Sequence, residues 1–363
     1  MKKNIEIQYL RVVAIVLVAI THRGILFTSF GRDPFHGIEH SFSTWAGVDI
    51  FFVISGYLMG NILLGKTSEI NTVEQKLEQT ILFLKKRFLR LFPASFFWIT
   101  VLLLLGSISG DSAVWAMRHD LFAKWAASIF QVRNFENSLH QSHLGWYWSL
   151  SLENQFYFIL PLLWFFMGKR YFWWLIKALA VVLLFWSPGG NNWFWFRPTG
   201  FIWGLLVYKL MSNKKIENIF IAYFPKWGAL ASLTAVTGLL ICSTNAPNSI
   251  GEAYMPLAIS LISFVTACIL AFASLNRGFI KIPAFMESTI FWMAEMSYSF
   301  YLCHIVVFCA LNDFLKRYHI LLGTTVKMEM GFSLASICSI LTYFYIERLF
   351  YKPKDNVSIP KAS

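Results

Sequence analysis

Apolar residues gather into long blocks along the chain, and short polar clusters separate them. A helix needs roughly 20 apolar residues to cross about 30 Å of hydrocarbon. Blocks of that kind lie near 7–27, 44–64, 89–108, 145–167, 171–187, 193–211, 227–243, 254–275, 289–311 and 321–346. They predict an all-α polytopic membrane helix bundle of about ten transmembrane helices. The fifth and seventh blocks are short and flanked by Gly, Pro or Asn, which marks tilted or broken helices. The largest polar connections are 65–88, expected to hold a short amphipathic helix ending at Arg90, and 109–143, rich in Trp, His and Asn. No repeat recurs, so residues 1–350 are read as one transmembrane domain and 351–363 as a short basic tail.

Composition strengthens this picture. Of 363 residues, 57% are hydrophobic and only 14% charged, against roughly 25% charged in soluble proteins. That balance excludes a cytosolic enzyme, a disordered chain and an extended nucleic-acid binder. The net charge of +12 comes from basic residues between the spans. With the N-terminus inside, about 22 of the 31 basic residues fall on the cytoplasmic side, as the positive-inside rule requires. Both termini are therefore expected to be cytoplasmic, and the first span, which lacks a small-residue cleavage site, is expected to remain as an anchor. Five cysteines, Cys242, Cys268, Cys303, Cys309 and Cys338, lie in apolar stretches without metal-ligand spacing, so no disulfide framework and no metal are expected.

Charged groups inside such spans cost at least about 2.5–3.5 kcal/mol each, which makes every one a functional candidate. They are Arg11, His22, Asp49, Glu153, Arg197, Glu295 and His304. Arg11 and His22 are eleven residues apart, three turns plus about 20°, and so share a face about 16 Å long. Asp49 shares a face with Gly56, and the pair Gly56 and Gly60 makes a small-residue stripe expected to face protein. Trp146, Ser149, Glu153 and Tyr157 recur at helical spacing, as do Ser297, Tyr301 and His304.

Alternating spans put His22, Asp49, Glu153, Arg197 and His304 in the outer half and Arg11, Lys86, Arg87 and Arg90 at the inner face. Arg87 and Arg90, three apart, suit an anion such as a phosphate. A histidine with a carboxylate suits proton abstraction from a hydroxyl.

These residues carry a family pattern. An arginine followed eleven residues on by a histidine is present as Arg11 and His22. A Gly-Val-Asp element runs from Gly47 to Tyr57, and an arginine, arginine, proline element falls on Arg87, Arg90 and Pro93. A further element covers Trp148, Ser149, Leu150, Glu153, Gln155, Phe156 and Tyr157, another Phe196, Arg197 and Gly204, and a last one Ser297 to His304. In this order they resemble the membrane acyltransferase family 3, multi-pass enzymes that O-acylate cell-surface carbohydrates, over nearly the full length. Departures are Lys86 in place of Arg, Asn154 in place of a second Glu, Cys303 in place of Trp, and the missing Pro after Ile305 and Val306.

The resemblance implies an O-acyltransferase of a bacterial inner membrane. Acyl-CoA, chiefly acetyl-CoA, is its co-substrate, with no bound cofactor, and the acceptor is a hydroxyl of an extracytoplasmic or lipid-linked carbohydrate. On that reading Arg87, Arg90, Lys86 and Arg11 bind the donor. His22 is the general base, oriented by Glu153 or Asp49, with Arg197 or Tyr301 stabilising the oxyanion and His304 beside them. Direct transfer is favoured over an acyl-His or acyl-Ser149 intermediate. The competing reading of the same spans is a transporter or flippase of an anionic or carbohydrate substrate. In the 109–143 loop, Trp115, Trp125, His140 and His143 are candidates for stacking on sugar rings.

Overall fold

The computed structural model describes residues 4–27, 44–65, 72–139, 144–186, 194–223, 228–250 and 255–350. Every regular element among them is helical. We number the helices α1 (Ile5–Thr21), α2 (Gly47–Met59), α3 (Val73–Ser109), α4 (Ser112–Trp115), α5 (Arg118–Ile129), α6 (Arg133–Leu139) and α7 (Trp148–Phe185). The rest are α8 (Thr199–Met211), α9 (Lys214–Tyr223), α10 (Ala229–Ile250), α11 (Met255–Ser274), α12 (Ala284–Arg317) and α13 (Thr324–Thr342).

Among the described residues, six stretches are long and apolar enough to cross a membrane, namely Ile5–Phe27, Thr44–Leu64, Val73–Ser109, Met255–Ser274, Ala284–Arg317 and Thr324–Phe350. The protein is an integral membrane helix bundle. Six is fewer than the ten expected, and the difference lies in α7, α8 and α10. Helix α7 covers the fourth and fifth predicted spans, which are divided at Gly168, whose non-helical φ of 67° favours glycine, with Lys169 and Arg170 just after the break. Helix α8 begins only at Thr199, so Arg197 stands just before it and not within a span. The amphipathic helix expected in 65–88 is not separate either. It runs straight into the third span as the 37-residue α3, with Pro93 inside.

Polar contacts fix the ends of α1. The Asn4 side chain accepts hydrogen bonds from the Glu6 and Ile7 amides, a standard way to satisfy the free N–H groups of a first turn. The Glu6 carboxylate accepts the Gly278 and Ile280 amides, both at 2.8 Å, tying this end to the loop after α11. Helix α12 runs through the centre, with Leu302, Cys303, His304, Ile305 and Phe308 wholly buried.

Helices α2 and α8 make the closest crossing. A methyl group at Gly56 would strike the backbone carbonyl of Phe201, and one at Gly204 the carbonyl of Val53. Two glycines thus let the backbones meet, as the stripe of small residues predicted. Phe201 stacks on Phe52 and Phe156 beside the crossing and joins α2, α7 and α8.

Helices α4 to α6 form a cap over the start of α7. Arg133, fully buried, bonds the Leu144 carbonyl at 2.8 Å and pairs with Glu136 at 3.0 Å, and Glu136 also takes Lys124 at 3.0 Å. Burial pushes the Arg133 guanidinium down to about 10, with Glu136 opposing that shift. Gln155 bonds Asn134 and the Gln131 carbonyl. Trp115 is buried in the cap, and the Trp125 indole donates to Thr100, so these two tryptophans hold the cap together and Trp115 is closed to a sugar. His140, His143 and the 351–363 tail lie outside the described residues.

Gly204→Ala is expected to destabilise the protein by about 1–3 kcal/mol, the usual cost of overpacking. A thermal unfolding midpoint in detergent equal to that of the wild type would exclude so tight a crossing.

Candidate active site

The stripe of α1 that carries Arg11 and His22 organises the site. Helix α1 ends at Thr21, and His22 caps it, its amide bonding the Val18 carbonyl at 3.3 Å. The ring of His22 meets that of His304, with Nδ1 of His22 3.1 Å from Nε2 of His304 and ring centroids 5.1 Å apart. On its other side Nδ1 of His304 faces the carbonyls of Tyr301 and Phe300 at 2.9 and 3.0 Å. Carbonyls only accept, so Nδ1 of His304 carries its proton, and Nε2 of a neutral His304 is a lone pair. Nδ1 of His22, which faces that lone pair and the Val18 carbonyl at 3.0 Å, must then be the donor. Nε2 of His22 is left as the basic nitrogen.

The sequence suggested a carboxylate beside His22. The structure places His304 there instead. Glu153 accepts hydrogen bonds from Ser55 at 2.6 Å and Tyr157 at 2.5 Å. Asp49, wholly buried in the first turn of α2, pairs with Arg197 at 3.5 Å.

Arg197 is 1% exposed, and its guanidinium lies against three aromatic faces, Phe194 at 4.3 Å, Trp45 at 4.4 Å and Trp148 at 4.9 Å. Asp49 and these π faces balance its charge, yet its Nε, Nη1 and Nη2 make no hydrogen bond among the described residues. The Trp146 indole N–H is likewise unpaired. A cavity of about 90 Å³ joins these groups, lined by His22, Arg197, Trp146, Tyr301, Trp45 and Trp148 among others. Uncommitted buried donors are costly unless something accepts from them, so the cavity suits an oxygen-bearing ligand. Tyr301 contributes less to it than expected. Its hydroxyl donates to the Trp146 carbonyl at 2.5 Å and takes the proton of Ser149 at 2.6 Å, so neither hydroxyl has a free proton.

A second polar cluster lies toward the other end of α1. Arg11 donates to Gln8 at 3.1 Å and Ser297 at 3.0 Å, and its charged neighbours are Arg90, Glu347, Arg87 and Glu153. Arg87 packs over the rings of Tyr157 and Phe83 at 5.1 and 5.6 Å. Arg87 and Arg90 share this face of α3, whereas Lys86 is exposed one position round. Two residues of the cluster escaped the sequence reading. Ser55 holds Glu153, and Glu347, 6% exposed, accepts a hydrogen bond from Ser299 and neighbours Arg90 and Arg11. Glu295, an intramembrane acid noted from the sequence, accepts from Tyr343 at 2.9 Å nearby.

Glu347 reaches the cluster through a local change of helix. Buried positions on α13 step by three or four, through Lys327, Gly331, Ala335, Ser339 and Thr342. The next step is five, across the π-helical turn Tyr343–Glu347. The wider turn moves Glu347 onto the inward face.

Two polar clusters thus lie along the α1 stripe, His22 with His304 at one end and Arg11, near Arg87 and Arg90 of α3, toward the other. Residues 4–346 match the family model described as an acyltransferase domain. The chain belongs to the acyltransferase 3 family. It is 34% identical over 137 residues to the O-acetyltransferase OatA of Staphylococcus aureus (strain NCTC 8325 / PS 47), covering 34% of this chain and 21% of that protein. It is 35% identical over 121 residues to the peptidoglycan O-acetyltransferase OatA of Listeria monocytogenes serovar 1/2a, covering 32% of this chain and 19% of that protein. The matched part therefore spans about a fifth of these relatives' length. No solved structure matches the chain.

Asp49→Ala leaves the buried Arg197 without its counter-charge and is expected to cost about 3–5 kcal/mol. Adding Arg197→Met should recover much of that loss in a double-mutant cycle read by unfolding midpoints. Additive losses would mean the two residues do not interact.

Proposed function

We propose that this family member is a membrane O-acetyltransferase that moves an acetyl group from acetyl-CoA to a hydroxyl of an extracytoplasmic or lipid-linked carbohydrate. On this reading the shorter apolar helices and the two halves of α7 complete ten spans, and both termini lie in the cytoplasm of a bacterial inner membrane. The observation that carries the reading is the open Nε2 of His22 in a cavity that also holds the unpaired donors of Arg197 and Trp146.

Nε2 of His22 takes the proton of the acceptor hydroxyl as its oxygen attacks the thioester carbon. Arg197 and Trp146 donate to the carbonyl oxygen as it gains charge, the geometry of an oxyanion hole. The carbon–sulfur bond then breaks, and the proton on Nε2 passes to the leaving thiolate. This balances the step without an acyl-enzyme. Ser149 is a poor nucleophile because its proton is directed to Tyr301, which favours direct transfer. His304 acts through His22 by fixing its tautomer.

At the other end, Arg87, Arg90 and Arg11 receive the nucleotide phosphates, guanidinium forks being matched to phosphate oxygens. Glu153 and Glu347 hold these arginines in place. Lys86 adds charge at the mouth. The aromatic walls of the cavity, Trp45, Trp146 and Trp148, suit the face of a sugar. Both relatives are named as O-acetyltransferases, and the name of one, a peptidoglycan O-acetyltransferase, accords with a glycan acceptor.

His22→Ala is expected to abolish acetyl transfer while abundance in the membrane stays at the wild-type level. Comparing glycan mass profiles of cells carrying wild type, His22→Ala or no gene reads this directly, since transfer adds the mass of an acetyl group. Retained acetylation in the variant overturns the assignment of the base. The paired change Arg87→Ala and Arg90→Ala should raise the KM for acetyl-CoA at least tenfold, about the loss of one charge-assisted hydrogen bond. An unchanged KM would move donor binding elsewhere.

A further inference from the structure

A second cavity shares no lining residue with either polar cluster. It measures about 780 Å³ and lies among α7, α8, α9 and α11. Its walls are apolar, formed by Leu206, Val207, Phe220, Phe264 and Ala271 among others, and polar groups come from Lys177, Lys209, Ser212 and Asn213.

The cavity follows from the length of α8. Its 13 residues give about 20 Å of helix, some 10 Å short of the hydrocarbon core. The amphipathic α9 follows after a two-residue link, and the space beneath the short helix opens between α9, α7 and α11. Apolar walls in that position need an apolar filling.

Two lysines line it, one from α7 and one from the last turn of α8. Nζ of Lys209 lies 5.4 Å from the centroid of Trp173, and Nζ of Lys177 turns back over Trp174 at 5.0 Å. Each ammonium group packs over a tryptophan of α7, and neither is in an ion pair with a described acid. Ser212 and Asn213 join the lining from the α8–α9 link. An apolar hollow with two cations and two neutral polar side chains in its lining matches one class of molecule, in which an anionic head carries hydrocarbon chains.

We propose that this groove binds an anionic glycerophospholipid of the surrounding bilayer. Its phosphate lies between Lys177 and Lys209, and an acyl chain lies along Leu206, Phe264 and Ala271. The site is separate from acyl transfer, since none of its residues belongs to either polar cluster.

The test uses the full-length protein, purified in mild detergent and stripped of lipid, then offered phosphatidylglycerol or phosphatidylcholine and read by native mass spectrometry. Wild type should retain phosphatidylglycerol in preference to phosphatidylcholine. The double change Lys177→Gln and Lys209→Gln should weaken that retention by on the order of tenfold, as expected for two cations near a membrane surface. Two controls complete it. Phe264→Trp, which fills the groove without touching the lysines, should also reduce retention. Glycerol phosphate, the head without its tails, should neither compete nor raise the thermal midpoint. Equal retention of the two lipids, retention unchanged in the double variant or in Phe264→Trp, or full competition by glycerol phosphate would each overturn the proposal.

Discussion

A guanidinium within an apolar bundle must have its charge balanced where it sits, and Arg197 shows how much of this fold follows from that requirement. Its counter-ion, Asp49, is on α2, and Arg197 itself stands just before α8. The pair can form at 3.5 Å only if the two helices approach closely, which Gly56 and Gly204 allow. Trp45, Trp148 and Phe194 supply the remaining balance through their π faces, and all three rings line the cavity beside His22. One desolvated cation thus ties together a helix crossing, an aromatic wall and the guanidinium donors of that cavity.

Pairing His22 with a second imidazole, not a carboxylate, has a chemical consequence. A carboxylate would stabilise the imidazolium and let it persist. A neutral histidine held by two backbone carbonyls fixes the tautomer but supplies no negative charge. A base of this kind gains little from keeping its proton, which suits a step in which the leaving group takes the proton almost as soon as it is removed. The carboxylates are placed elsewhere. Asp49 balances Arg197, while Glu153 and Glu347 lie among the arginines.

Much of this was readable from residue spacing. Three helical turns separate Arg11 from His22, so a common stripe followed from periodicity alone, and the Gly56 and Gly60 stripe announced a close neighbour. Glu153 was correctly singled out, but its partner was not. Periodicity gives the face a side chain occupies on its own helix, not the azimuth of that helix against others, and α7 turns Glu153 toward Ser55 and Tyr157. Glu347 was missed for a different reason. A π-helical turn adds one residue to the repeat, which hides an inward carboxylate from any reading based on steps of three and four. Trp115 misled because an aromatic in a polar connection reads as a surface residue until the connection folds into a cap over it.

The same limitation explains the spans. Counting apolar residues assumes that each span solves its own solvation problem, whereas α8, at 13 residues, does not. It is short because its first residues must meet Asp49, Val53 and Phe52 of α2 at close range, as Gly200 and Gly204 show. That register brings its other end to Lys209 well before a full membrane crossing is complete. The deficit has to be covered by the amphipathic α9 and by whatever fills the hollow between it and α11. Arg197, just before α8, and Lys209, in its last turn, therefore flank one short helix.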